Sequence, residues 1–435
     1  MHIVIWFLNM IIEINNYTKP KIGFFPFFNS LGDTLPLLKV ADYYKRFGGD
    51  AIFYSHGGVY EELAHSRGFK VIKVKPYYEN KNNTEIFSDL YFKNLIDAVS
   101  KEIEVFKKTE IRLLVTNINL SSGISARVVG IPLVVLFSGT LSIPYYKSNL
   151  ATFPDNLENP FTWFIPAVIK NRIFNWIMVK SKLYTRFFNN VAKQYGKKPF
   201  THYLDLFNGD YFLACDDINF LKLKPTADYP QENYVGPILF GTFEEGFPGN
   251  NDKDIEQHIK KPGRSILLSM GSSGEKNLFL KIISILNKTE WNVVAIYTNI
   301  LQDDELPKIE NNILLKKFVP SIRTINEKVD LAIIHGGRGT IYTAAYSGKP
   351  IIGIPKQIEQ QYNIDCLIRH GSGIRLSKKY FSSRRLLNAI NDIFSNYQFY
   401  ERNARNLAKS LKEDDNVRNT ILRLIEIINQ DAKCR

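Results

Sequence analysis

Short apolar runs alternate with helix-spaced segments along most of the chain. Lys21–Phe28 (KIGFFPFF) is an apolar run ending in polar turn residues, as in a buried strand. Thr34–Phe47 follows, with Leu37, Leu38 and Ala41 at helical spacing, and stops at Gly48-Gly49. Ala51–Ser55 and Phe69–Val74 read as strands around a helix at Val59–Arg67 that Gly68 ends. The rhythm continues with a strand at Ile111–Thr116, a helix at Ser121–Val129 and a strand at Pro132–Phe137. Such alternation predicts a parallel sheet covered by helices. Residues 161–200 break it and read as helices without intervening strands, before Tyr211–Cys215 resumes as a strand.

Residues 241–263 are polar and rich in Gly and Pro, the composition of a linker. The alternation then starts afresh. Strands are predicted at Ser265–Met270, Asn292–Thr298, Ile313–Phe318, Leu331–Ile334 and Ile351–Pro355. Helices are predicted at Lys276–Leu286 and Thr340–Ser347, with a helical tail from Ser382 to Gln430. The expected organisation is an apolar extension at 1–20, an α/β domain at 21–240, the linker, and a second α/β domain at 264–435. Two such domains face each other across a cleft and bind ligands at the carboxyl ends of their strands.

Length agrees: 435 residues suit two domains. Cys215, Cys366 and Cys434 lie far apart with no C-x-x-C, which argues against zinc and a disulfide framework and fits a reducing compartment. Met1–Ile14 is apolar but shorter than the ~20 residues that span a bilayer, and it lacks a basic start and a cleavage site. A cytoplasmic protein is expected. The net charge of +13 is uneven. Residues 161–200 hold eight Lys/Arg, ten aromatics and no Asp or Glu. That stretch suits an anionic membrane face, a pocket for a hydrophobic acceptor, or a solvated helical insertion. No nucleic-acid motif accompanies the charge.

The most informative segment is His335-Gly336-Gly337-Arg338-Gly339-Thr340, between the strand LAII and a helix. Three glycines let the backbone approach a ligand closely. A helix start offers free N–H groups and a positive dipole end, which suits a diphosphate. His335 and Thr340 add donors, and Arg338 adds fixed charge. A tight turn with a Thr cap explains the same glycines. After the next strand comes Pro355-Lys356-Gln357-Ile358-Glu359-Gln360-Gln361-Tyr362-Asn363, where Glu359 and Gln360 suit sugar hydroxyls. A solvated helix start is the plainer reading of that stretch alone.

Together the stretch HGGRGTIYTAAYSGKPIIGIPKQIEQQYN resembles, without a gap, the donor signature of nucleotide-sugar-dependent GT-B glycosyltransferases of the UDP-glycosyltransferase-like superfamily. Gly271-Ser272 after Met270 resembles the loop that opens that family's donor domain. Phe318-Val319-Pro320 resembles its base-holding loop, and Val235-Gly236-Pro237 the junction before its linker. Asn29-Ser30-Leu31-Gly32-Asp33-Thr34-Leu35-Pro36 is similar to the G-S-R-G-D-x-x-P loop of the macrolide, glycopeptide and sterol subgroup, whose Asp is the proposed catalytic base. Read from the residues alone, Asp33 or Thr34 is as good a helix cap. Asn29 and Leu31 depart from the loop's Gly and Arg, Glu359 replaces the commoner Asp, and Ser321 stands where some relatives have Gln. Asn117 and Asn119 lie where His-bearing relatives carry an orienting Asp.

The resemblance implies two Rossmann-like domains and an inverting, metal-independent hexosyltransferase with no cofactor. Its donor is an NDP-sugar, with UDP first and TDP second, and its acceptor is a hydrophobic small molecule or lipid. Asp33 takes the role of base. Gly271, Ser272, Val319, His335, Gly336, Gly337, Arg338, Gly339, Thr340, Glu359 and Gln360 hold the donor. The alternatives are a sugar-nucleotide epimerase of the same fold and a non-catalytic helper of a partner glycosyltransferase. Three other signals read as structure: His56-Gly57-Gly58 as a turn, Asp252-Lys253-Asp254 as a solvated charge run, and Asp216-Asp217 as a turn.

Overall fold

The computed structural model describes residues 19–76, 94–239, 253–271, 274–298, 300–319, 321–411 and 415–434. Two six-stranded parallel sheets organise the chain. The first is ordered β3-β2-β1-β4-β5-β6 and comprises β1 (Ile22–Phe25), β2 (Ala51–Ser55), β3 (Lys70–Lys73), β4 (Leu113–Thr116), β5 (Leu133–Phe137) and β6 (Tyr211–Ala214). The second is ordered β12-β11-β10-β7-β8-β9. It comprises β7 (Ser265–Ser269), β8 (Asn292–Ile296), β9 (Ile313–Lys316), β10 (Leu331–Ile334), β11 (Ile351–Gly353) and β12 (Gly373–Arg375). Most central strands are buried along their whole length, which is why they read as continuous apolar runs rather than alternating ones.

Both sheets reverse their strand order at a matching place. In the first, β1 pairs with β4 with Phe25 opposite Thr116. In the second, β7 pairs with β10 with Ser269 opposite Ile334. Loops leaving the carboxyl ends on the two sides of each reversal diverge and leave a crevice for ligands.

Eleven longer helices cover the sheets: α1 (Leu31–Arg46), α2 (Leu95–Thr109), α3 (Ser122–Val129), α4 (Ala167–Lys180), α5 (Thr185–Gln194), α6 (Lys276–Leu286), α7 (Arg338–Ser347), α8 (Ile358–Arg369), α9 (Ser383–Ser395), α10 (Tyr397–Ser410) and α11 (Asn416–Cys434). Residues 161–200 are helical, as expected, and their long members are α4 and α5.

Three expectations change. Lys253–Ile259, inside the stretch read as linker, forms a helix whose Ile255 is buried. Only the first residues of 357–363 are solvated: Gln357 is exposed and Ile358 and Glu359 are half-buried, whereas Gln360 to Leu367 of α8 are all buried. The terminal helix α11 returns to the first domain: Val417, Ile421, Leu424 and Ile425 pack in the same core as Leu37, Leu38 and Val115. The first domain therefore includes residues far beyond 240. Asn416 seats this return, donating to Pro237 O at 2.9 Å in the Val235-Gly236-Pro237 stretch.

Candidate functional site

Asp33 enters from the first domain. Helix α1 starts at Leu31, three residues before the expected Thr34, with Ser30 as its first cap residue. Asp33 thus lies in the first turn, where the helix dipole favours a carboxylate. It does not cap the helix through a backbone N–H; its carboxylate accepts from the Ser30 hydroxyl. Thr34 Oγ1 donates back to Ser30 O at 2.9 Å. Asn117, at the end of β4, accepts from Phe27 N at 3.1 Å and donates to Asp33 O at 2.9 Å. Asn117 therefore holds the Asp33 backbone, whereas Asn119 turns away and accepts from Ser121 Oγ.

The second domain supplies the facing groups. His335 ends β10, is 6 % exposed, and sits between two glycines. A Cβ on Gly271, whose φ is +60°, would overlap its ring. A Cβ on Gly337 would lie 2.5 Å from its Nε2. Burial, reinforced by Lys356, pulls His335 down to about 4, so the ring is neutral near pH 7 and offers one N–H. Its Nδ1 is buried with no hydrogen-bond partner among the described residues.

Helix α7 starts immediately after, with Gly337 as cap residue and no side chain capping that end among the described residues. Its first amides are left for a ligand. A Cβ at Gly339 meets nothing within 4 Å, so this turn faces open space. Gly336 is different: its φ is +91°, and a Cβ there would lie 2.6 Å from Gln360 O. Thr340 caps no N–H; its hydroxyl donates to Gly337 O at 2.8 Å.

Arg338 leaves this turn toward the first domain. Its guanidinium lies 5.7 Å from the Phe137 ring centroid and hydrogen-bonds the Cys215 thiol, which burial pushes up to about 12. Its charge acts on Asp33, Asp216 and Glu359 together. Nη1 is buried and has no hydrogen-bond partner among the described residues. Burial first, and then Glu359, raise Asp33 to about 6, against the opposing pull of Ser30 and Arg338.

Asp216, read from sequence as part of a turn, is a member of this cluster. It is 1 % exposed and accepts from Gly139 N at 2.6 Å and from Tyr342 Oη, on α7, at 2.9 Å. Burial raises it to about 6. Asp217 does behave as a turn residue, capping the helix Ile218–Leu221. The sequence offered Asp216 only as part of a turn, because its partners Gly139 and, on α7, Arg338 and Tyr342 come from two other parts of the chain.

Glu359 and Gln360 lie on α8. Glu359 accepts from Asn363 Nδ2 at 3.3 Å. The Gln360 side chain is turned inward: it is 2 % exposed and its Oε1 accepts from Lys356 N at 2.9 Å. Asn363 also donates to Gly336 O at 3.1 Å and accepts from Thr140 Oγ1 of the first domain at 3.1 Å. Val319 is buried. Ser272 and Pro320 lie outside the described residues.

The other sequence signals settle as structure. His56 pairs with buried Glu102 at 3.4 Å. Asp254 pairs with Lys316, and Asp252 lies outside the described residues. No group of His, Cys, Asp or Glu among the described residues is arranged to hold a metal. Two open surface hollows, beside Lys73 and Asp97 and along α10, are remote from the cluster.

Comparison with solved structures decides the fold. The spinosyn forosaminyltransferase SpnP superposes with a TM-score of 0.64 at 14% identity, over 95% of this chain and all of that one. The calicheamicin glycosyltransferase CalG4 gives 0.65 at 15% identity, over 95% and 98%. The chain has the GT-B glycosyltransferase fold. Residues 265–418, the second domain, match the family described as glycosyltransferase family 28 C-terminal domain. Among curated proteins, a PGL/p-HBAD biosynthesis rhamnosyltransferase of Mycobacterium bovis (strain BCG / Pasteur 1173P2) is 23% identical over 71% of this chain and 65% of its own length. The NDP-glycosyltransferase YjiC of Bacillus subtilis (strain 168) is 25% identical over 41% and 44%. The chain thus spans about two thirds of the length of the mycobacterial relative.

Proposed function

We propose that this GT-B protein is an inverting glycosyltransferase. It moves a hexose from a nucleoside-diphosphate sugar to a hydroxyl of a hydrophobic acceptor. One observation carries the reading: Asp33 of the first domain shares an electrostatic cluster with Arg338 and Glu359 of the second. A base on the acceptor side and a cation on the donor side thereby meet at one junction.

In this reading Asp33 takes the acceptor hydroxyl proton while that oxygen attacks the anomeric carbon. The bond from that carbon to the diphosphate oxygen breaks, and its electron pair leaves with the diphosphate. The amides of Arg338, Gly339 and Thr340 at the uncapped start of α7 would meet that growing charge. Neutral His335 would add one N–H, and Arg338 would add fixed charge beside Asp33. Glu359 would accept from sugar hydroxyls. Thr340 contributes an acceptor unless its hydroxyl releases Gly337 O.

The sequence resemblance implies UDP as the donor nucleotide. One structural neighbour, VinC, was solved in complex with dTDP. Calorimetric titration with UDP and TDP, without and then with magnesium, tests both. Binding of either nucleotide without magnesium, weakened in His335→Ala, is expected. Proton NMR of the transferred sugar should then show an inverted anomeric centre. Binding of neither nucleotide, retention at that centre, or epimerised donor in the absence of acceptor would overturn the proposal.

A further inference from the structure

The outward face of the 161–183 insertion is unusual for a protein surface. Helix α4 is apolar on both sides. Its inner side packs: Phe174 lies 6.5 Å from Tyr146 and 5.9 Å from Phe153, and Asn175 donates to Ala151 O at 2.6 Å. Its outer side does not pack. Ile169, Ile173 and Ile177 form one exposed row at i, i+4 spacing. Val168, Arg172, Trp176 and Lys180 form the adjacent row. Just before the helix, Phe161 and Phe164 are each 88% exposed. A contiguous row of large apolar side chains on the exposed side of a helix whose other side already packs marks a contact with another apolar phase.

Charge selects the occupant. Within 161–200, Lys170 is the one cation with a carboxylate partner among the described residues, Glu158. Arg172, Lys180, Lys182, Arg186, Lys193 and Lys198 are exposed and unpaired there. The stretch contains no acid. A second copy docked face to face would bring like charges together with nothing to neutralise them. A face of Trp, Phe and Ile fringed by Lys and Arg matches the boundary between acyl chains and anionic headgroups.

We infer that this face docks onto an anionic lipid bilayer. No helix among the described residues is long and apolar enough to cross one, so the contact is peripheral. The docking segment is also tied to the second domain. Trp163 Nε1 donates to Tyr380 Oη at 3.1 Å, and Thr152, in the stretch leading into the segment, donates through Oγ1 to Asp365 Oδ2 at 2.6 Å. Docking would therefore hold the whole two-domain junction at the bilayer surface, where amphiphilic acceptors concentrate.

The test is co-sedimentation of the full chain with phosphatidylcholine vesicles, with and without phosphatidylglycerol. Wild type should sediment with the anionic vesicles only. Lys180→Glu with Lys182→Glu and Arg186→Glu should weaken that partitioning by at least about a hundredfold, since each basic residue near an anionic surface contributes several-fold. Phe164→Ser with Trp176→Ser should also release the protein without lowering its melting temperature. Equal binding to neutral vesicles, binding to neither, or a wild-type dimer that Trp176→Ser dissociates would overturn the inference. Nucleotide titration on the same preparations separates this from the catalytic proposal. Vesicle binding without nucleotide binding sinks the latter alone, and the reverse sinks the former alone.

Discussion

Asp33 is where the electrostatics make the sharpest prediction. With its carboxyl raised to about 6, the proposed base is ionised at neutral pH and close to its proton at mildly acidic pH. The rate should fall with unit slope as pH drops below about 6, checked by kcat/KM against pH. Asp33→Asn should lower kcat by about 10²–10⁴-fold, the usual worth of general-base assistance. The same substitution should stabilise the fold. Between roughly pH 4 and 6 the folded protein keeps a proton on Asp33 that the unfolded chain releases. Stability therefore declines as pH rises through that window. Asp33→Asn should exceed wild type by about 1–3 kcal/mol at pH 7 in denaturant titrations, with the gap closing below about pH 4. A mutant both slower and more stable would mark a charge kept for function; one slower and less stable would mark a structural carboxylate. Two glycines make a matched pair. Gly336→Ala forces a side chain at positive φ against Gln360 O and should cost about 1–3 kcal/mol. Gly339→Ala meets open space and should fold normally, yet raise the KM for the donor by crowding the approach to the α7 amides.

Helix α8 shows what an element does that no residue does alone. Four of its side chains bond one stretch of the first domain, residues 140–155. Asn363 accepts from Thr140, Gln361 from Asp155 N at 2.9 Å and Asp365 from Thr152; Arg369 donates to Leu150 O at 3.0 Å. The helix that carries Glu359 is therefore also the seam between the domains. Asn363→Ala would leave the Gly336 carbonyl without a side-chain donor and the buried Thr140 hydroxyl with Ser138 alone, at about 1–3 kcal/mol for the unsatisfied carbonyl. It should loosen the seam as well, read as faster hydrogen exchange at residues 138–142 and a lower kcat. Exchange confined to α8 itself would show that Asn363 serves only its own helix. Of the long helices, α2 was the clearest one missed from sequence. Its buried Leu95, Ala98, Val99, Glu102, Ile103 and Phe106 follow helical spacing, but the intervening charges masked the pattern. The strand β12 is three residues long with two of them half-exposed, too short for periodicity to speak.

At the scale of the molecule, the chain is threaded twice between its domains. It crosses forward after residue 239 and returns at α11, whose Leu424 is fully buried in the first domain's core. Leu424→Ala should cost about 2–5 kcal/mol by removing buried methyl groups and leaving a cavity. The loss should appear in the first domain, four hundred residues away in sequence from β1 but adjacent to it in space. If nucleotide binding survives in this variant while the first domain's amides lose exchange protection, the two domains unfold as separate units. If both go together, the seam at α8 couples them.

Much was legible in advance because it depends on neighbours along the chain. Apolar runs became β1, β4, β5, β7 and β10, since a strand covered on both faces is mostly apolar, with small hydroxyls such as Thr116, Ser265 and Ser269 at its ends. The uninterrupted His335–Asn363 stretch was legible as one unit because a glycine turn, a helix start and the next loop are contiguous. Asp33 was singled out through its loop only by likeness to a family, since the residue alone fits a helix cap equally well. Tertiary structure decided what contiguity cannot reach. It placed Asp33 beside Arg338 and Glu359, drew Asp216 and Tyr342 into the same cluster, and folded Gln360 inward. It also carried α11 back to the first sheet and left the outer side of α4 without a partner. Each of these turns on which surfaces meet when two sheets close on each other. Burial and electrostatic coupling are properties of that closure, so they are absent from any single stretch of sequence.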